Sequence, residues 1–105
     1  MARFDVFANP GPGADTTPWL LDVQSDLLDG LETRVVIPMR SLERFPQVPL
    51  PLRLTPVFRI EGKECLLETP KMAAVPRRIL KTPIASLASE QARITAALDF
   101  LFQGY

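Results

Sequence analysis

Residues 84–105, IASLASEQARITAALDFLFQGY, form the one long window with a helical period. Leu87, Gln91, Ile94, Leu98 and Leu101 recur at steps of three and four, and Ala88, Ala97 and Phe102 widen the stripe. Glu90, Arg93, Thr95 and Asp99 fall on other faces. Thr82 followed by Pro83 offers an N-cap and a proline at the first helical position, and Gly104 stands where helices commonly end. The stretch predicts an amphipathic C-terminal helix. Everything before it reads as short strands and turns, so the helix must cover a small sheet. Its tip, with Gln103, Tyr105 and the terminal carboxylate, is left free and is expected to carry function.

Composition supports that outline. A chain of 105 residues with 47% hydrophobic content and a mean hydropathy of +0.10 makes one folded domain, residues 1–105. Eleven prolines are about twice the usual share of roughly 5%. Proline breaks helix interiors and central strands, so short elements and a small barrel are favoured over a helix bundle. Twelve basic and twelve acidic residues cancel. The basic footprint of a general nucleic-acid binder is therefore missing, and no sequence-specific nucleic-acid contact is expected. The single cysteine, Cys65, excludes an internal disulfide and a multi-thiolate metal site. There is no histidine, which removes the commonest general base, the Ser-His-Asp and Cys-His arrangements and nearly all zinc sites. Neither cofactor, metal nor catalytic residue is expected. No apolar run approaches the ~18 residues of a membrane span, and the N-terminus lacks the basic start and apolar core of a signal peptide. A soluble, cytoplasmic protein in a reducing compartment is expected.

Taken in order, residues 3–7 (RFDVF) alternate as a half-buried strand does, and residues 8–15 are dense in turn formers. Residues 18–23 (PWLLDV) resume as a strand, and residues 24–26 turn the chain. Leu27 and Leu28 then form an apolar pair inside a loop. They either fold back over the sheet edge or belong to a contact surface. Residues 33–38 (TRVVIP) are the best central strand, closed by Pro38. Residues 39–44 read as a turn or a short helical segment. Residues 45–56, with Pro46, Pro49, Pro51 and Pro56, are irregular or at most an edge strand. Residues 57–69 form the clearest hairpin, with Gly62-Lys63 as a type II′ loop and Cys65 as a small buried side chain of the second strand. Residues 72–76 (MAAVP) lead into residues 77–80, a further short strand. Arg77, Arg78 and Lys81 make a small basic cluster, either a solvated face or the seat of an acidic partner segment. The sum is a mainly β domain, a barrel-like sheet of short antiparallel strands with one terminal α-helix.

Several stretches together resemble the CcdB family, the toxins of CcdA/CcdB plasmid-maintenance systems that poison bacterial DNA gyrase. Residues 22–29 (DVQSDLLD) look like the family's DVQSD segment with its apolar pair. Arg34-Val35-Val36-Ile37-Pro38 matches the strand that follows it, Met72-Ala73-Ala74-Val75-Pro76 is similar to MASVP, and the helix ending Phe102-x-Gly104 matches the C-terminus in register. The correspondence runs nearly end to end. DVQSD and RVVIP are specific together, whereas MA-x-VP alone is weak.

The resemblance implies an SH3-like barrel with a C-terminal helix, a two-fold homodimer, and no enzymatic activity. It implies a surface that contacts the gyrase A subunits, carried onto Leu27, Leu28, Asp99, Phe102, Gln103, Gly104 and Tyr105. It also implies neutralisation by a small antitoxin with a disordered acidic tail, for which Arg77, Arg78 and Lys81 are candidate receptors. The chain departs from the best-known pattern at Gln103 and Tyr105, which stand in place of tryptophan and isoleucine, and at Asp99, where asparagine is frequent. Losing a hot-spot aromatic costs about 2 kcal/mol or more, roughly thirtyfold in affinity. Two alternatives stay open. One is a homologue that keeps antitoxin binding without gyrase poisoning. The other is a MazF/Kid-like endoribonuclease, a toxin of similar fold, using Asp26 or Glu32 with Arg34.

Overall fold

The computed structural model describes residues 2–43 and 51–104. Seven strands and one helix are built from them: β1 (Asp5–Ala8), β2 (Trp19–Asp22), β3 (Thr33–Ser41), β4 (Val57–Ile60), β5 (Lys63–Leu67), β6 (Ala73–Pro76), β7 (Ala85–Ser86) and α1 (Gln91–Gln103). All pairings are antiparallel, in the order β4-β5-β3-β2-β1-β7, with β6 also on β3. The result is a nearly closed SH3-like barrel sheet with one C-terminal helix, the architecture that the strand and helix patterns predict.

Period-two alternation sorts the core into two layers. Val6, Leu21, Ile37 and Met39 face one side, where Phe58, Ile60, Leu67, Leu87 and Ile94 complete the main cluster. Phe7, Leu20 and Val36 face the other and pack with Leu80. Burial on both faces is why β2 reads as an unbroken apolar pair, Leu20-Leu21, instead of alternating.

Four boundaries differ from the sequence-based expectation. The helix starts at Gln91, not beside Thr82 and Pro83. The unpaired edge of β1 claims the preceding residues: Ile84 donates to the Val6 carbonyl at 2.8 Å and Leu87 to the Phe4 carbonyl at 2.8 Å. A 3-10 turn, Ala88–Glu90, then leads into α1. Strand β3 runs through Pro38 to Ser41, so it does not close at Pro38; Leu42 and Glu43 then turn the chain, and Arg44 lies outside the described residues. The Pro38 carbonyl accepts from Glu68 N on the side where β6 ends and β5 begins, so the missing N–H falls where β3 changes partners. The β4–β5 hairpin turns on Glu61-Gly62 between the paired Ile60 and Lys63, with φ of 51° and 80°. Positive φ at both positions makes it type I′, not II′. Finally, Arg77–Ile79 is a 3-10 turn, not a strand.

Near the N-terminus, Arg3 and Phe4 lie in a turn before β1, with Phe4 at φ 73°. Residues 51–56 are irregular, as the prolines require. The rest of the proline-rich expectation, through Phe45, Pro46 and Pro49, lies outside the described residues. Among the described residues, no helix is long and apolar enough to cross a membrane.

Candidate functional site

The loop between β2 and β3 is organised by a buried charge. On β3, Arg34 shares the face of Val36, and on β2, Asp22 shares the face of Leu20. A charge on a buried face must find its counter-charge there. Asp22 lies diagonally across the ladder from Arg34 and supplies it. Arg34 Nη2 and Nε lie 2.7 and 2.9 Å from Asp22 Oδ2, with both side chains fully buried. Burial pushes the Asp22 carboxyl up from its ordinary value, while the Arg34 hydrogen bond pulls it down. Arg34 also reaches Asp29 at 3.4 Å, Asp26 at 3.7 Å and the Gln24 carbonyl at 3.3 Å.

Each polar residue of the DVQSDLLD stretch is spent on holding this loop. The Gln24 amide donates to the Leu28 carbonyl at 3.2 Å and accepts from Val35 N at 3.0 Å. Ser25 Oγ caps the 3-10 turn Asp26–Leu28 by accepting from Leu27 N. Asp26 accepts from Arg3 N at 2.8 Å. Asp29 is pinned from the far side by Arg77, through its carbonyl and an ion pair of 3.4 Å. The product of this scaffolding is the exposure of two leucines, Leu27 at 95% and Leu28 at 49%. Of the two readings open for the pair, the described structure shows exposure, not a cover over the sheet edge.

Helix α1 supplies a second exposed surface. Ile94 and Ala97 are buried and Leu98 is half-buried, so the stripe faces the main core. Asp99, Phe102 and Gln103, at i, i+3 and i+4, share an exposed face. Phe102 is 70% exposed, although the helical period alone would place it at the margin of the core stripe. Gly104 is left-handed at φ 81°, and its N–H donates to the Phe100 carbonyl, which ends the helix. The tip thus presents an aromatic ring, an amide and a carboxylate at the negative end of the helix dipole. Tyr105 lies outside the described residues. The loop and the helix tip are separate elements, joined by no hydrogen bond or ion pair among the described residues.

Of the basic cluster, Arg77 is occupied with Asp29, whereas Arg78 and Lys81 are exposed. Lys81 Nζ donates to the Arg78 carbonyl at 3.2 Å. Arg34, the cation an RNA-cleaving arrangement with Asp26 or Glu32 would need at the surface, is sealed inside the fold. Cys65 is buried, and burial raises its thiol pKa.

Sequence reasoning named the exposed leucines but missed Arg34, Gln24, Asp29 and Arg3 as the residues that hold them. One signal was available. An arginine on the buried parity of a β-branched run calls for a carboxylate on the neighbouring strand. A family model described as CcdB protein matches residues 3–104 of the chain.

Proposed function

The chain belongs to the CcdB family, toxins of the CcdA/CcdB systems, and from that membership we propose that it binds the A subunit of DNA gyrase and traps the cleaved gyrase–DNA complex. The observation that carries this reading is Leu27, 95% exposed on a loop fixed by Arg34, Gln24, Ser25 and Arg77. An apolar side chain displayed in water gains nothing for the folded monomer. Because the loop backbone beneath it is already braced, little backbone entropy is lost when a partner covers it, which suits an interface anchor.

The proposed contact surface joins Leu27 and Leu28 to Asp99, Phe102, Gln103, Gly104 and Tyr105 at the helix end. A two-fold homodimer would present each of these twice, matched to a two-fold target. Phe102 takes the aromatic role, and Asp99 with the helix C-terminus favours an arginine on the partner. The action is contact, not catalysis, and it takes place in the cytoplasm where gyrase works. A small antitoxin with an acidic tail, received near Arg78 and Lys81, is the proposed neutralising partner.

Expression in a sensitive host, and in the same host carrying a resistance mutation in the gyrase A subunit, tests the target. Growth arrest in the first strain and growth in the second are expected. Equal arrest in both strains would point to another target, and no arrest in either would favour a homologue without gyrase poisoning.

A further inference from the structure

Strand β4 ends the strand path, with β5 on one side and no strand on the other among the described residues. The hairpin register decides which of its main-chain groups face the open side. Ile60 and Lys63 flank the two-residue turn and form its hydrogen-bonded pair. Alternation then turns Phe58 inward to Cys65, and the Leu67 N–H donates to the Pro56 carbonyl at 2.9 Å as the next inward rung. Val57 and Arg59 therefore point their N–H and C=O groups outward. The open edge is these two residues alone, since the Thr55 N–H is engaged with the Pro51 carbonyl and Glu61 begins the turn. An unpaired edge of this kind is a template for a further strand. One residue of another element stands against it. Arg93, in the first turn of α1, donates from Nη2 to the Val57 carbonyl at 2.8 Å, and its guanidinium carbon lies 4.4 Å from the centre of the Phe58 ring. Glu90 holds the same guanidinium at 3.4 Å.

We propose that Arg93 guards the β4 edge against pairing with a second copy of this chain. Two antiparallel β4 strands related by a two-fold axis at Phe58 would set Val57 of each copy opposite Arg59 of the other. Each Arg59 N–H would then donate to a Val57 carbonyl, and each Val57 N–H to an Arg59 carbonyl. The contact is self-complementary and closes at two copies. The Val57 carbonyl it needs is the group that Arg93 occupies, and the guanidinium over Phe58 stands where the two strands would cross. A half-exposed arginine gains the monomer little from such a bond, so its effect falls on association more than on folding. Nothing in this rests on the gyrase reading, because neither β4 nor Arg93 belongs to the proposed contact surface.

The test is sedimentation of the full-length wild type and of Arg93→Ala across a range of protein concentrations, with amide hydrogen exchange on both. As concentration rises, Arg93→Ala is expected to reach twice the mass of wild type at the same concentration, with a native circular dichroism spectrum. In the associated variant the amides of Val57 and Arg59 should exchange at least tenfold more slowly than in wild type. Adding Arg59→Pro removes an outward donor at a position that makes no ladder bond to β5, and should return the mass to that of wild type. A folded Arg93→Ala protein of wild-type mass would overturn the proposal, as would doubling without protection of Val57 and Arg59. Doubling that survives a folded Arg59→Pro would also overturn it. Loss of the fold in Arg93→Ala would overturn it too, by showing the arginine to be structural.

Discussion

Arg34 converts a buried charge into a surface feature. Its guanidinium is sealed against Asp22 inside the fold, yet it also touches Asp26 and Asp29, the residues flanking the exposed leucines. Removing one partner of a buried pair strands the other, which typically costs about 3–5 kcal/mol, whereas replacing both with apolar residues is often close to neutral. Arg34→Met should therefore lower unfolding free energy by about that amount in urea titration, and Asp22→Leu added to it should recover much of the loss. The double variant would fold but hold its leucine loop loosely, so weakened target binding is expected from a stable protein. Cys65 gives a second check at this scale. It is buried, and desolvation raises its thiol pKa, so the reactive thiolate is suppressed around neutral pH. Ellman's reagent should react with it only after denaturant unfolds the chain; prompt reaction with native protein would contradict the packing. The burial of Cys65 was legible from its place in a strand, but the Arg34 network was not. The sequence shows one arginine in an apolar run, and only strand register identifies the carboxylate facing it.

At the scale of elements, stability and binding separate along the chain. Ile94 carries the helix into the main core, so Ile94→Ala should cost about 2–5 kcal/mol. Leu27 and Phe102 stand in water, so Leu27→Asp and Phe102→Ala should each stay within about 0.5 kcal/mol of wild type in thermal or urea unfolding. Either change is nevertheless expected to weaken the proposed gyrase contact by at least tenfold, read by pull-down or calorimetry with the gyrase A subunit. A variant that unfolds instead would show the side chain to be structural. The elements themselves were partly legible: β1, β2, β4 and β5 overlap the segments that alternation and turn residues mark, and Gly104 ends the helix as expected, whereas β6 at Ala73–Pro76 precedes the stretch read as a strand, residues 77–80. Boundaries were lost where tertiary pairing overrode local signals. Thr82 and Pro83 form a good local start signal, yet the open edge of β1 takes Ala85–Ser86 as a strand. Pro38 reads as a strand end, yet it sits where β3 changes partners and its missing donor goes unneeded.

For the whole molecule, the sheet is covered on both faces, by α1 over the main cluster and by the segment around Ile79 and Leu80 over the second. Three surface features stand on that frame: an exposed apolar loop, a helix tip on a separate element, and an open pocket beside the loop lined by Arg77 and Arg78. Short proline-punctuated strands and one amphipathic helix made the barrel legible. The target of the exposed surface was not, because the same leucines and phenylalanine would suit any apolar partner; gyrase is proposed from family membership. The direct measurement is a DNA cleavage assay with the purified chain, plasmid DNA, ATP and gyrase from the same host. The account predicts that linear, gyrase-linked DNA accumulates with the wild-type protein and is sharply reduced with Leu27→Asp and with Phe102→Ala. Absence of linear DNA at micromolar wild-type protein would contradict it, as would undiminished cleavage by both variants.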